Sequence, residues 1–98
     1  MIDYLEKFRM DRKITFVLGG LGLIGKEVSA AMASAGAITV VLDVNDSKGQ
    51  AFENELRGKS YEAAFRYFDC SDMEQMDNRF SKLTEEFGCP DVFINCSY

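Results

Sequence analysis

The sequence predicts an α/β fold: a parallel sheet of four strands with helices between them, βαβαβαβ. Three observations predict it. Short apolar runs alternate with longer amphipathic segments, the pattern of βαβ units with right-handed crossovers. The first run, Ile14-Thr15-Phe16-Val17-Leu18, is apolar almost throughout, as expected of a strand covered on both faces. Finally, that run enters a glycine turn, Gly19-Gly20-Leu21-Gly22-Leu23-Ile24-Gly25, and the next apolar run, Ile38-Thr39-Val40-Val41-Leu42, stops at an acid, Asp43.

The elements follow in order. Residues 2–10 predict a short amphipathic helix with Leu5 and Phe8 packed on the body, and Arg12-Lys13 lead into the first strand. A helix is predicted over 24–35, burying Ile24, Val28, Ala31 and Ala35 at 4-3-4 spacing, with Gly36 as its left-handed stop. Its small residues, including Ala30 and Ala33, let it lie close to the sheet. The next helix starts near Asp46 or Ser47, either of them a good N-cap, and packs through Ala51, Phe52 and Leu56. A third strand spans 63–68, interrupted by Arg66. Ser71-Asp72-Met73-Glu74 has the form of a capping box and opens a helix with a core stripe of Met73, Met76, Phe80, Leu83 and Phe87. Glu85-Glu86 reads as its solvated end, and Gly88-Cys89-Pro90 stops it. Residues 91–95 form the fourth strand. No repeat or linker divides the chain, so residues 1–98 read as a single domain.

Bulk properties exclude several functions. The 98 residues are 47% hydrophobic and 28% charged, enough for one small core. The net charge of −5 disfavours a nucleic-acid partner, which needs cations to neutralise phosphates. Neither a membrane span nor a signal peptide is expected. Three cysteines, Cys70, Cys89 and Cys96, have no paired spacing and suit a reducing, cytoplasmic compartment. With no histidine, a zinc site and any Ser-His or Cys-His nucleophile are disfavoured, and no metal site is expected. Cys96 has no adjacent cation in sequence to activate its thiol and reads as packing.

The glycine turn carries the functional signal. Strand, glycine turn, helix, strand and terminal acid together describe half of a dinucleotide site. Gly19 permits the tight turn, Gly22 lets the backbone approach a pyrophosphate, and Gly25 allows the helix to pack on the strand. The helix then aims free N–H groups and its positive end at the phosphates. Asp43 would accept the hydroxyls of the adenosine ribose and repel a 2′-phosphate, which favours NAD over NADP. The residues after it, Val44-Asn45-Asp46, offer no cation to reverse that preference. The bland alternative is turn punctuation with a solvated strand end.

These residues resemble the N-terminal half of a short-chain dehydrogenase/reductase. The T-G-x-x-G-x-x-G turn of the family's extended branch aligns with Leu18 to Gly25, with Leu18 replacing the usual Thr. Phe8-Arg9-Met10-Asp11-Arg12-Lys13 resembles the family's lead-in to its first strand. Asp43-Val44-Asn45 resembles its D-I-N segment, and Phe68-Asp69-Cys70-Ser71 its D-x-S/T segment. Pro90 to Tyr98 resembles the I-D-V-L-V-N-N-A-G strand and turn, with Asn95 at the first Asn and Cys96-Ser97-Tyr98 departing from N-A-G. The resemblance implies a three-layer Rossmann-type sheet in the order 3-2-1-4, ending before a fifth strand. It implies NAD contacts at Gly19, Gly22, Leu23, Ile24, Gly25, Asp43, Val44, Asp69, Cys70, Asn95, Cys96 and Ser97, with Asp69 and the next backbone group at the adenine.

It also implies an oxidoreductase that moves hydride between nicotinamide and an alcohol or ketone, with a sugar derivative among the candidate substrates. The family's catalytic Tyr-x-x-x-Lys is absent: Tyr4 meets Phe8, Tyr61 meets Phe65, Tyr67 meets Ser71, and Tyr98 is a residue beside the cofactor instead. The 98 residues therefore read as a catalytically incompetent fragment, whose uncovered fourth strand would favour a homo-oligomer. Two alternatives stand beside this reading. One is a non-catalytic nucleotide-binding or interaction module. The other is a methyltransferase-like domain, which also places an acid after its second strand but uses a G-x-G-x-G turn. Asp69 as a phosphoacceptor lacks the required acidic pair after the first strand.

Overall fold

Successive residues of a strand point to opposite faces, so an apolar run with helices on both sides must supply two cores. A computed structural model, which describes residues 4–97, shows this division. Strands β1 (Ile14–Leu18), β2 (Ile38–Asp43), β3 (Ala63–Tyr67) and β4 (Val92–Asn95) form one sheet in the order β3-β2-β1-β4, all neighbours parallel. Helices α1 (Leu23–Ser34), α2 (Asp46–Gly58) and α3 (Met76–Phe87) connect them. Phe16, Leu18, Val40 and Leu42 pack with Phe68 and with Leu83 of α3 on one face. Val41 and Phe65 pack with Phe52 and Leu56 of α2 on the other. The fold is the Rossmann-like three-layer α/β arrangement.

The face that α1 buries differs from the expected stripe. Gly25, Ser29 and Ala33 are buried, whereas Ile24 and Ala31 are exposed. The reason is distance: the start of α1 lies against the glycine turn so closely that only a small residue fits beneath it. Ser29 is fully buried, and its hydroxyl has no partner among the described residues. Ser29→Ala is therefore expected to stabilise the fold by about 1 kcal/mol, which for a domain this size raises Tm by roughly 4–8 °C. An unchanged or lowered Tm in thermal unfolding would show that the hydroxyl is satisfied.

Further expectations need correction. Asn45, not Asp46 or Ser47, caps α2, its Oδ1 accepting the Lys48 N–H at 3.0 Å, and Ala51 is exposed while Phe52 and Leu56 are buried. Ser71 does not open a capping box. Its hydroxyl and amide both donate to Asp69 Oδ1, at 2.7 and 3.0 Å, so the local turn wins over the cap. A short 3-10 turn (Met73–Gln75) follows, α3 begins only at Met76, and Met73 is 77% exposed rather than core. Glu86 is not simply solvated either. It receives Arg66 Nε at 2.9 Å, and that guanidinium holds its carboxyl below the usual range. Arg66 thus sits in a strand because its charge is met at the sheet edge.

The amino-terminal segment is a 3-10 turn (Tyr4–Phe8), with Phe8 exposed; the side chain of Leu5 and residues 1–3 and 98, Tyr98 included, lie outside the described residues. Among the described residues no helix is long and apolar enough to cross a membrane.

Candidate functional site

All the predicted site residues come to one rim, because in a parallel sheet every strand ends on the same side. Backbone bonds stitch that rim together. Gly19 N–H donates to the Leu42 carbonyl at 2.8 Å, Cys96 N–H to that of Leu18 at 2.8 Å, and Phe68 N–H to that of Asp43 at 2.9 Å. The ends of β3, β2, β1 and β4 are thereby held in sequence along one rim, and open α/β sheets bind ligands outside the carboxyl ends of their strands.

Gly19 makes the turn with a φ of 73°, and a side chain there would lie 2.7 Å from the Ser97 amide nitrogen. Gly25 carries the tightest contact. A Cβ on it would stand 2.1 Å from the Gly19 carbonyl oxygen and 2.8 Å from Gly20 Cα. Gly22 is different. Among the described residues a Cβ there would meet only the Gly19 oxygen, at 3.5 Å, so they leave the space above it open. Gly22 is also the N-cap of α1 and offers no side-chain cap. The first intrahelical bond runs from Lys26 N–H to the Gly22 carbonyl, at 2.9 Å, so the amides of Leu23, Ile24 and Gly25 precede the helical ladder. An open glycine cradle beside uncapped helix amides has the shape and polarity a pyrophosphate needs.

Asp43 is tied to this turn. Its Oδ2 accepts the Leu21 N–H at 3.0 Å and its Oδ1 accepts the Val44 N–H at 2.8 Å. The carboxylate is thus aimed across the rim by two backbone donors, each oxygen retaining a lone pair for a ligand. Val44 beside it is half exposed. At the other end, Leu23 and Ile24 are 93% and 71% exposed and line a cavity of about 150 Å³ with Gly22 and Cys96. Cys96 is half-buried and faces this cavity, so the packing role read from sequence holds only in part.

The flanking loops share one device. Asn95 Oδ1 accepts the Ser97 amide at 3.0 Å and hydroxyl at 2.6 Å, as Asp69 Oδ1 does from Ser71. The two Ser71 donors hold the Asp69 carboxyl below the ordinary aspartate value. Asp69 and exposed Cys70 stand at the β3 end, one strand beyond Asp43 and joined to it through Phe68, whereas Cys96 and Ser97 lie directly against Gly19. Sequence reasoning missed Gly20 and Leu21. A Cβ on Gly20 would lie 2.6 Å from Val41 Cγ1, and Leu21 supplies the amide that Asp43 grips. The glycine doublet was the available signal for the first; the second depends on a contact 22 residues apart in sequence.

Known proteins resemble this chain in sequence and fold. The chain is 34% identical over 83 residues to a short chain dehydrogenase/reductase, dpchG, of Colletotrichum higginsianum, covering 85% of this chain and 31% of that protein. It is 31% identical over 94 residues to a galactitol 2-dehydrogenase of Rhizobium johnstonii, covering 96% and 36%. Among solved structures, a gluconate 5-dehydrogenase from Burkholderia cenocepacia in complex with NADP and tartrate superposes with a TM-score of 0.83 at 24% identity, over 93% of this chain and 36% of the other. The chain spans about a third of the length of the curated relatives it matches. The short chain dehydrogenase family profile matches residues 13–97. With its glycine turn, strand order and rim in place, the chain belongs to the short chain dehydrogenase family.

Proposed function

We propose that residues 1–98 form the dinucleotide-binding part of an oxidoreductase that takes NAD in preference to NADP. The observation that carries this reading is Asp43, a carboxylate held at the end of β2 by the Leu21 amide of the glycine turn. In the proposal the α1 amides and Gly22 hold the pyrophosphate, and Asp43 accepts the adenosine ribose hydroxyls. Asp69 and Cys70 flank the adenine. Leu23, Ile24, Asn95, Cys96 and Ser97 border the other half of the dinucleotide. The carboxylate disfavours a 2′-phosphate by like-charge repulsion.

When bound, the nicotinamide supplies the hydride-transfer chemistry. This chain's residues bind and orient it, and the acid/base groups come from outside these 98 residues, in which no tyrosine is followed four positions on by lysine. A sugar or polyol alcohol is the substrate class favoured by the likeness to galactitol 2-dehydrogenase.

Fluorescence titration of the chain with NADH, NADPH and S-adenosylmethionine tests the proposal. The expected order is NADH tightest, NADPH weaker and S-adenosylmethionine without saturable binding. Tighter S-adenosylmethionine than NADH would favour a methyltransferase-like site, and equal NADH and NADPH would remove the cofactor preference.

A further inference from the structure

At the sheet edge opposite β4, between β3 and α3, lies a cleft of about 450 Å³ that shares no residue with the glycine turn. Arg66, Arg79 and Lys82 line it, with Tyr67, Asn78 and Glu86. Three cations and one carboxylate line it, and two further carboxylates, Glu53 and Asp72, stand beside those cations. Their pairing is uneven. Arg66 is met by Glu86, and by Glu53 at 3.8 Å. Arg79 is met by no hydrogen-bond acceptor among the described residues: its Nε is buried without one, and its nearest carboxylate, Asp72, is 3.7 Å from Nη2. Its guanidinium stands over the Tyr67 ring, 5.1 Å from the centroid. Lys82, one turn further along α3, has no ion-pair partner among the described residues.

An arginine fixed on an aromatic face has already lost much of its freedom, so little more is lost when it engages a ligand. Its fork also matches the oxygens of phosphate and carboxylate groups. We propose that this cleft binds a small oxyanion, a phosphate- or carboxylate-bearing molecule, between Arg79 and Lys82, with the Asn78 amide as a further donor. The ligand competes with Asp72 for the Arg79 guanidinium. Because Tyr67 pairs in register with Asp43, the cleft lies one strand beyond Asp43.

The test is an NMR titration of the isotopically labelled chain with inorganic phosphate and, separately, with succinate, at constant ionic strength. Saturable shifts are expected at the Arg79 side-chain Nε–H and at the amides of residues 78–82. Arg79→Lys, which keeps charge but loses the fork, and Lys82→Gln are each expected to weaken binding about tenfold. Arg12→Gln, an exposed cation paired elsewhere with Glu62, is expected to leave it unchanged. Saturation by one probe alone assigns the ligand class. No saturation by either, shifts confined to residues 19–25, or an equal loss in Arg12→Gln would overturn the proposal. Should Arg79→Lys fail to fold, Lys82→Gln decides it alone.

Discussion

Replacing Gly25 with alanine is expected to unfold the glycine turn and abolish dinucleotide binding. The added methyl would stand 2.1 Å from the Gly19 carbonyl oxygen and 2.8 Å from Gly20 Cα. Both are backbone atoms, so no flexible side chain can move aside. Overpacking usually costs about 1–3 kcal/mol, and a collision with backbone falls at or above the upper end. For a domain of this size, 3 kcal/mol lowers Tm by roughly 12–24 °C. Gly22→Ala separates stability from function, because among the described residues its methyl meets only one atom, at 3.5 Å. That variant is expected to keep its Tm within a few degrees and still lose NADH affinity, since the methyl occupies the cradle. Thermal unfolding and NADH titration of both variants check the pair. If Gly22→Ala binds NADH as the parent does, the pyrophosphate does not lie there.

Asp43→Ala is expected to change cofactor choice. The substitution removes the proposed ribose acceptor and the charge that opposes a 2′-phosphate, so NADH should weaken by about tenfold or more while NADPH weakens less. It also releases the Leu21 amide, which is expected to loosen the turn by about 1 kcal/mol. Asp43→Asn keeps an acceptor without the charge, and should retain more NADH affinity while gaining tolerance for NADPH. The ratio of the two dissociation constants is the measurement. A ratio unchanged in both variants would remove Asp43 from the site.

Much of this organisation is legible without coordinates, for a physical reason. Strand interiors, helix stops and the glycine turn are local matters, set by hydrophobic period and by which residues tolerate a turn. Ile14 to Leu18, Ile38 to Asp43 and the stop before Gly36 follow from neighbours in sequence. The misread features depend on partners distant in the chain, or on competition between local bonds. Ile24 fits a helical stripe, yet the sheet approaches α1 from the side of Gly25, Ser29 and Ala33. Ser71 fits a capping box, yet Asp69 takes both of its donors. Arg66 looks like a fault in a strand until Glu86, 20 residues on, is placed beside it.

The sequence by itself determined the α/β class, the parallel direction of its strands, the turn at Gly19 and the acid at Asp43, because each is written in spacing and residue type. Only the tertiary structure decided that Leu21 and Asp43 grip one another, that Ser97 and Cys96 close over Gly19, and that Arg79 rests on Tyr67 with no hydrogen-bond acceptor among the described residues. Those contacts join segments that local chain energetics cannot bring together. They form when the two faces of the sheet bury their apolar residues and carry the strand ends to a common rim.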